Sequence, residues 1–332
     1  MTLKKFDSQT LKNVGVFTSG GDAPGMNAAI RAVVRMGIHH GLQITGIMQG
    51  YPGMVNSEFN PLSLSSMANI IQRGGTILKT GRMPEFHQPE VRARAVANLR
   101  AAGIGALVCI GGDGSFTGAH LLWQEHQYPV VGVPATIDND IAGTDLTIGF
   151  DTAVNVALDA IDRIRDTAAS HDRLFIVEVM GRDSGFIAVS VGVAGGAEEI
   201  FIPENPATAD QAVERIRRGI SRGKRSSILV AAEGHKPGRA YDLAEAIRKK
   251  SGFEAKVCIL GHIQRGGSPT AIDRILASRL GAGAVEALRR GECDAMVGVQ
   301  GDALVTVPFD NVIGVKKKVS SELVSLARTL SI

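Results

Sequence analysis

The sequence predicts an α/β fold, and three observations carry that prediction. Apolar, β-rich runs alternate with amphipathic stretches for most of the chain, and glycine usually stands between a run and the helical pattern that follows, the signature of βαβ units. Glycine supplies 40 of 332 residues, about 12% against a usual share of roughly 7%. Phe, Tyr and Trp number only 11, 3 and 1, so the glycine surplus belongs to tight turns and ligand loops. At roughly 150 residues per domain the length points to two domains, with ample chain to bury a core. The glycines show no three-residue period and Pro numbers 12, which excludes collagen-like and Pro-rich linker chains.

Lys and Arg (36) nearly balance Asp and Glu (33), leaving no global field for nucleic acid or an anionic membrane, so any anion site is local. Cys109, Cys258 and Cys293 are odd in number and lack CxxC spacing. That argues against a disulfide framework or a structural zinc and makes a reducing cytoplasm the expected compartment. The longest uncharged apolar stretch, residues 184–197, has 14 residues and is Gly-rich. It falls short of the roughly 18 to 20 needed to span a bilayer, so no membrane span is expected. Residues 1–10 hold Lys4, Lys5 and Asp7 without an apolar core, and do not read as a signal peptide.

The first run, 13–18, ends in Ser19-Gly20-Gly21-Asp22-Ala23-Pro24-Gly25, after which Ala28, Ala29, Ile30, Val33 and Val34 recur at helical spacing. A helix over 89–101, with Pro89 suited to a first turn, precedes the run 106–110 and its loop Gly111-Gly112-Asp113-Gly114-Ser115. A third run, 129–133, leads into Pro134-Ala135-Thr136-Ile137-Asp138-Asn139-Asp140. In a parallel sheet these loops share the carboxyl edge, where open α/β folds place their ligands. A second series follows, with a helix over 152–167 and runs at 174–179, 200–203, 228–232 and 257–260. Its loops read Met180-Gly181-Arg182, Glu233-Gly234-His235 and Gly261-His262-Ile263-Gln264-Arg265-Gly266-Gly267. No low-complexity linker divides the two series, and no repeat of 20 to 50 residues is evident. Lys316, Lys317 and Lys318 read as a solvated charged face.

Glycine-rich loops that enter helices expose backbone N–H groups, and the positive helix end favours phosphate. Residues 20–25 have the GxxxxG spacing of a P-loop, but Met26 and Asn27 stand where Lys and Ser or Thr are required. Gly112, Gly114 and Gly118 form a loose dinucleotide fingerprint, yet the next run ends in Pro134 without a ribose-binding acid. Asp113, set between glycines, would repel a bare phosphate, and Mg2+ bridging the two resolves the conflict, which points to a nucleoside triphosphate. Asp138 and Asp140, two apart in one loop, are expected to serve different partners, one acting as base while the other orients it. Such acids also cap helices or make Asx turns, but three of them ending neighbouring runs weigh against that. Arg82, Arg173, Arg182 and Arg265, with His262, add cations whose forks match phosphate oxygens. The residues alone therefore lead to magnesium-assisted phosphoryl transfer to a small anionic acceptor, which they leave unnamed.

GGDAPGMN at 20–27, IGGDGS at 110–115, TIDND at 136–140, MGR at 180–182 and GHIQRGGSP at 261–269 stand in one order. In that order the chain resembles the bacterial 6-phosphofructokinase family from about residue 14 to residue 299. GGDG by itself is similar to the loop of NAD kinases and diacylglycerol kinases; TIDND followed by HIQRGG points to the sugar-phosphate kinase. The resemblance implies two Rossmann-like three-layer domains with mostly parallel sheets and the active site in the cleft between them. Residues 1–148 plus 263–313 would bind ATP and 149–262 plus 314–332 fructose 6-phosphate, in a cytoplasmic homotetramer.

The implied reaction is the ATP- and Mg2+-dependent phosphorylation of fructose 6-phosphate to fructose 1,6-bisphosphate. By resemblance Gly21, Arg82, Met83, Gly112, Gly114 and Ser115 would meet the nucleotide and Asp113 the metal. Asp138 would take the proton of the first-carbon hydroxyl, Thr136 and Ile137 would hold the acceptor, Asp140 would support the site and Arg182 would steady the phosphoryl group. Met180, Gly181, Glu233, His262, Ile263, Gln264 and Arg265 would bind the sugar phosphate, joined by Arg173 from a neighbouring subunit. Lys256 stands where the family often has a second Arg from that neighbour. Arg31, Arg35, Arg165, Gly196, Ala197, Arg222 and Lys224 resemble the family's regulatory site for ADP or phosphoenolpyruvate, with Glu198 helping to hold a metal on the nucleotide. Residues 52–66 match the family poorly there, and Leu64 falls on a basic family position.

Two rivals are separable. Pyrophosphate-dependent relatives typically carry Asp where Gly114 stands and Lys where Ala135 stands; a carboxylate beside Asp113 would repel the α-phosphate of ATP, so glycine favours the nucleotide. A non-catalytic, nucleotide-sensing subunit would need the loops without the acids, whereas Asp113, Asp138 and Arg182 are all present.

Overall fold

The computed structural model describes residues 2–171, 173–205 and 207–330. The chain divides into two compact units. One comprises the described residues of Met1–Thr136, Ile141–Gly149 and Arg265–Lys317, the other those of Ile137–Asp140, Phe150–Gln264 and Lys318–Ile332. The division thus falls inside the TIDND motif and between Gln264 and Arg265. Both units are α/β and Rossmann-like.

The first unit is built on a seven-stranded sheet in the order Ala303–Pro308, Ala295–Gln300, Val130–Pro134, Ala106–Gly111, Asn13–Thr18, Gln43–Ile47 and Phe59–Leu62. The five inner strands pair in parallel, and the two edge strands pair antiparallel to their neighbours. Asn13–Thr18 and Ala106–Gly111 are buried at every position, which is why they read as continuous apolar runs instead of alternating ones. Phe17, Leu107, Phe116, Met296 and Phe309 meet in the core of this unit. Helix Met26–His39 packs against helix Ala271–Arg289 so closely that a Cβ on Gly281 would stand 2.6 Å from the Ala29 carbonyl oxygen.

The second unit holds a four-stranded, all-parallel sheet ordered Ala255–Ile259, Leu174–Val179, Ser227–Ala232 and Glu199–Phe201. Helices Phe150–His171, Phe186–Ala194, Ala209–Ser221 and Arg239–Ser251 link the strands or precede them. Leu174, Ile176, Phe201, Ile216, Leu229 and Ile247 form its core. Helix Ala209–Ser221 starts on a reciprocal capping box between Thr208 and Gln211, which satisfies two otherwise unpaired N–H groups.

Strand Asn13–Thr18, helix Pro89–Ala101 and strand Leu174–Val179 have the bounds the sequence predicts. The helix expected over 152–167 is longer, Phe150–His171, and the run expected at 200–203 is the strand Glu199–Phe201. The apolar stretch 184–197 folds into helix Phe186–Ala194. Among the described residues no helix is long and apolar enough to cross a membrane.

Candidate active site

In the first unit three parallel neighbours, Asn13–Thr18, Ala106–Gly111 and Val130–Pro134, end at one edge, and hydrogen bonds tie the loops that leave them. Ser19 N–H donates to the Ile110 carbonyl at 3.0 Å, and Ala135 N–H donates to the Gly111 carbonyl at 2.9 Å. Packing itself demands Gly111: a Cβ there would lie 2.5 Å from Ser115 Oγ and 2.6 Å from the Ser19 carbonyl oxygen. Its neighbours differ. A Cβ on Gly114 would meet nothing within 4 Å, one on Gly112 only Thr136 Cβ at 3.9 Å, and neither residue has a positive φ. Packing does not require glycine at these two positions. They flank Asp113, the first residue of helix Asp113–His126, whose N-terminus has no side-chain cap. That terminus presents partial positive charge and N–H groups to an anion.

Ser115 is buried, and its carbonyl accepts the Tyr51 hydroxyl at 2.5 Å. The exposed Asp113 carboxylate accepts the Gly314 N–H on Oδ1 at 2.9 Å. Gly20 and Gly25 have φ of +85° and +110°, a region that favours glycine. Thr80 Oγ1 donates to the Gly20 carbonyl at 2.9 Å, and Arg265 Nη1 donates to the Asp22 carbonyl at 3.0 Å. Arg82 is exposed and Met83 packs half-buried on the core. Behind this edge burial pushes the Cys109 thiol far above its usual range, which removes it as a nucleophile. Among the described residues no group of three or more His, Cys, Asp or Glu gathers as a metal cage. A single exposed carboxylate instead suits Mg2+, which keeps waters and shares one or two carboxylates with substrate phosphates.

In the second unit the strands Leu174–Val179 and Ser227–Ala232 run side by side and deliver Met180 and Glu233 from adjacent ends. Gln264, fully buried, accepts the Met180 N–H at 2.8 Å and donates to the Ala153 carbonyl at 3.2 Å. Gly181 has φ +140°, and a Cβ there would stand 2.6 Å from the Ser184 carbonyl oxygen. Arg182 follows at φ +51°, and its N–H donates to Glu233 Oε1 at 3.3 Å. Ser184 Oγ donates to the Asp138 carbonyl at 3.0 Å. Asp138, Arg182 and Glu233 are thereby brought together through one loop.

Asp138 is buried and Asp140 exposed; on an extended strand residues two apart would share a face, and the opposed placement comes instead from a turn in which Asn139 has φ +51°. Ile137 is fully buried. Thr136 belongs to the first unit, where its carbonyl accepts Thr147 Oγ1 at 2.6 Å. Met180 is buried, whereas Arg173, Lys256, His262 and Ile263 lie exposed. The resemblance assigns Gln264 and Arg265 to the sugar phosphate, but the structure turns the Gln264 amide onto backbone and the Arg265 guanidinium onto the 20–22 loop.

Sequence reasoning missed Tyr51, Thr80, Glu178 and Gly314. Glu178, buried, accepts the N–H groups of Gly238 and Ala240 at 2.7 and 2.8 Å and so closes the loop that follows Glu233. An acid inside the otherwise apolar run 174–179 was its signal.

The residues matched to a regulatory site fall in both units. Arg31 and Arg35 line an open groove with Met36, His39 and Ser278 in the first. In the second, Arg165 donates to the carbonyls of Gly195 and Gly196, Ala197 is buried and Arg222 is exposed beyond helix Ala209–Ser221. The buried Glu198 carboxylate is taken up by Lys224 and by the Ile228 N–H at 2.5 Å.

Comparison with known proteins bears on these loops together. A family model described as Phosphofructokinase matches residues 13–288. The chain is 58% identical to ATP-dependent 6-phosphofructokinase 1 of Thermus thermophilus, covering 97% of this chain and 100% of that one. It is 52% identical to the ATP-dependent 6-phosphofructokinase of Halalkalibacterium halodurans, covering 97% and 100%. Among solved structures, Pichia pastoris phosphofructokinase in the T-state superposes with a TM-score of 0.86 at 34% identity, covering 98% of this chain and 40% of that chain. This chain therefore spans less than half of that yeast chain. A pyrophosphate-dependent phosphofructokinase from Marinobacter aquaeolei has a TM-score of 0.82 at 23% identity, covering 96% and 91%, and shares the fold. With a matching model over most of its length and relatives above half identity from end to end, the chain belongs to the phosphofructokinase family.

Proposed function

We propose that the chain transfers the γ-phosphoryl group of ATP to the first-carbon hydroxyl of fructose 6-phosphate, giving fructose 1,6-bisphosphate and ADP. The observation that carries the nucleotide half is the open space at Gly112 and Gly114, glycines the fold does not need, on either side of Asp113 at an uncapped helix start. Backbone N–H groups there receive the phosphates, joined by Gly21, Ser115 and Arg82, with Met83 beside the nucleotide. Asp113 would hold Mg2+ by its carboxylate; when bound, the ion neutralises charge on the transferring phosphates. The first unit is thus the nucleotide side and the second the sugar-phosphate side.

Asp138 accepts the proton of the attacking hydroxyl. Its burial limits water around the carboxylate, and Ser184 fixes the backbone that carries it. Asp140 and Thr136 support that loop. Arg182, pinned through its N–H to Glu233, presents a guanidinium to the transferring group, while Glu233, Met180 and Gly181 shape the sugar pocket with Ile137, His262 and Ile263. Arg173 and Lys256, both exposed, bind the sugar phosphate of a neighbouring copy in a cytoplasmic homotetramer. ADP or phosphoenolpyruvate acts as effector on Arg31, Arg35, Arg165, Arg222 and Lys224.

The test is a product assay with fructose 6-phosphate, Mg2+ and either ATP or pyrophosphate. Fructose 1,6-bisphosphate formed with ATP supports the reading. Faster formation with pyrophosphate reverses the donor, and tight binding of both substrates without product makes the chain a sensing subunit.

A further inference from the structure

We propose that Arg265 is a positioning residue of the nucleotide side, holding the 20–22 loop in the form that receives the triphosphate; this rests on the reading above. The Arg265 guanidinium occupies the place a side chain on Gly21 would take. An ideal Cβ there would stand 2.6 Å from Nη1, 3.1 Å from Cζ and 3.4 Å from Nη2. Gly21, unlike Gly20, has no positive φ, so its backbone conformation is open to any residue. A side chain at 21 and the Arg265 guanidinium in its present place exclude each other, and the flexible guanidinium is the group that would give way.

The electrostatic consequence follows from which groups the loop has left to offer. A loop that binds phosphate must present N–H groups and turn its carbonyl oxygens away, because those oxygens repel the anion. Here two carbonyls are drawn off by side-chain donors: Gly20 by Thr80 Oγ1 at 2.9 Å and Asp22 by Arg265 Nη1 at 3.0 Å. The second donor is a cation, so it also leaves positive charge beside the loop. The segment that carries Arg265 is itself fixed. Ser268 Oγ donates to the Gln72 carbonyl at 2.6 Å, and a Cβ on Gly74 would overlap the Gly267 carbonyl. Asn27 adds Nδ2 bonds to the carbonyls of Arg73 and Gly74 at 3.0 and 3.2 Å, closing a frame around the loop. All of these residues belong to the first unit.

The experiment is calorimetric titration of Mg·ATP, without any sugar phosphate, into the full-length protein and its Arg265→Met, Gly21→Ala and doubly substituted variants. Arg265→Met keeps much of the packing and removes the donor and the charge; the dissociation constant for Mg·ATP is expected to rise about tenfold, the size of one lost charge-assisted hydrogen bond. Gly21→Ala alone displaces the guanidinium and is expected to weaken binding comparably, yet by less than about twofold once Arg265 is already Met, because the two changes act on one contact. Steady-state kinetics should show the ATP KM of Arg265→Met raised as well as that for fructose 6-phosphate, and added methylguanidine should restore part of the ATP binding. Arg265→Lys, which keeps the charge, carries the same test if the Met variant fails to fold. Unchanged Mg·ATP binding in folded Arg265→Met, with only sugar-phosphate binding lost, overturns the proposal, as do penalties that simply multiply in the double variant. A wild-type protein that binds no Mg·ATP sinks instead the kinase reading beneath it.

Discussion

Gln264 Oε1 accepts the backbone N–H of Met180 at 2.8 Å, and the other end of the same fully buried amide donates to the Ala153 carbonyl at 3.2 Å. One side chain thus ties the start of the Met180-Gly181-Arg182 loop to helix Phe150–His171. Replacing it with Leu strands a buried donor and a buried acceptor, each costing about 1–3 kcal/mol. Gln264→Leu is expected to lower unfolding free energy by about 2–4 kcal/mol in urea titrations and to raise the KM for fructose 6-phosphate more than that for ATP. A variant of wild-type stability would remove the tether from the account.

Asp138 is buried, and Ser184 Oγ holds its backbone carbonyl. Removing its basicity while keeping its shape, as in Asp138→Asn, should lower kcat by roughly 10²- to 10⁴-fold, the usual worth of general-base assistance. Dissociation constants for both substrates should stay close to wild type. Turnover within a few-fold of wild type in a folded variant would assign the proton to another group.

Gly111 and Gly114 lie three apart and make opposite predictions. At Gly111 a methyl group meets Ser115 Oγ and a backbone oxygen, so Gly111→Ala should destabilise the fold by about 1–3 kcal/mol. At Gly114 the space is empty and an acid near the start of a helix is electrostatically favourable, so Gly114→Asp should shift stability by no more than about 0.5 kcal/mol. Its cost should appear in ATP use instead, with kcat/KM for ATP down at least about tenfold, the equivalent of about 1.4 kcal/mol of lost binding. Thermal melts and donor kinetics on the two variants separate these effects.

The hydrogen bond from Arg92 holds the Glu125 carboxyl below the usual glutamate range, and the charge of Arg92 adds to it while burial works in the opposite direction. A carboxylate with a depressed folded pKa contributes stability that is present above its unfolded pKa and is lost as pH falls through the folded one. Glu125→Gln should therefore melt below wild type at neutral pH, with the two curves converging below about pH 4, near and under the ordinary glutamate pKa. A gap that stays constant from pH 7 to pH 3 would mean the carboxylate charge plays no part.

Fold class and the principal loops are legible in the chain because both rest on short-range pattern. Buried parallel strands such as Asn13–Thr18 must be apolar on both faces, and the loops at their ends must turn sharply, so residue type alone marks 19–25 and 111–115. The edge strands Phe59–Leu62 and Ala303–Pro308 were not legible, since half-exposed strands carry mixed residues and resemble loops. What glycine is for could not be read either. Gly111, Gly112 and Gly114 are the same letter, yet the first is demanded by atoms 2.5 Å away and the last faces open space.

The sequence by itself determined the alternation of strand and helix, the acids and arginines available for phosphoryl transfer, and the order of the motifs that carry the family resemblance. Only the tertiary structure decided which of those groups remain available to a ligand. Gln264 places its amide between the Met180 N–H and the Ala153 carbonyl, and the Glu198 carboxylate meets the Ile228 N–H and Lys224. Arg265 sits one residue from Gln264 and yet lies against Gly21, more than two hundred positions away. The reason is that a hydrogen-bonding group has the same formula whether or not it is satisfied, and satisfaction depends on distances between residues far apart in the chain.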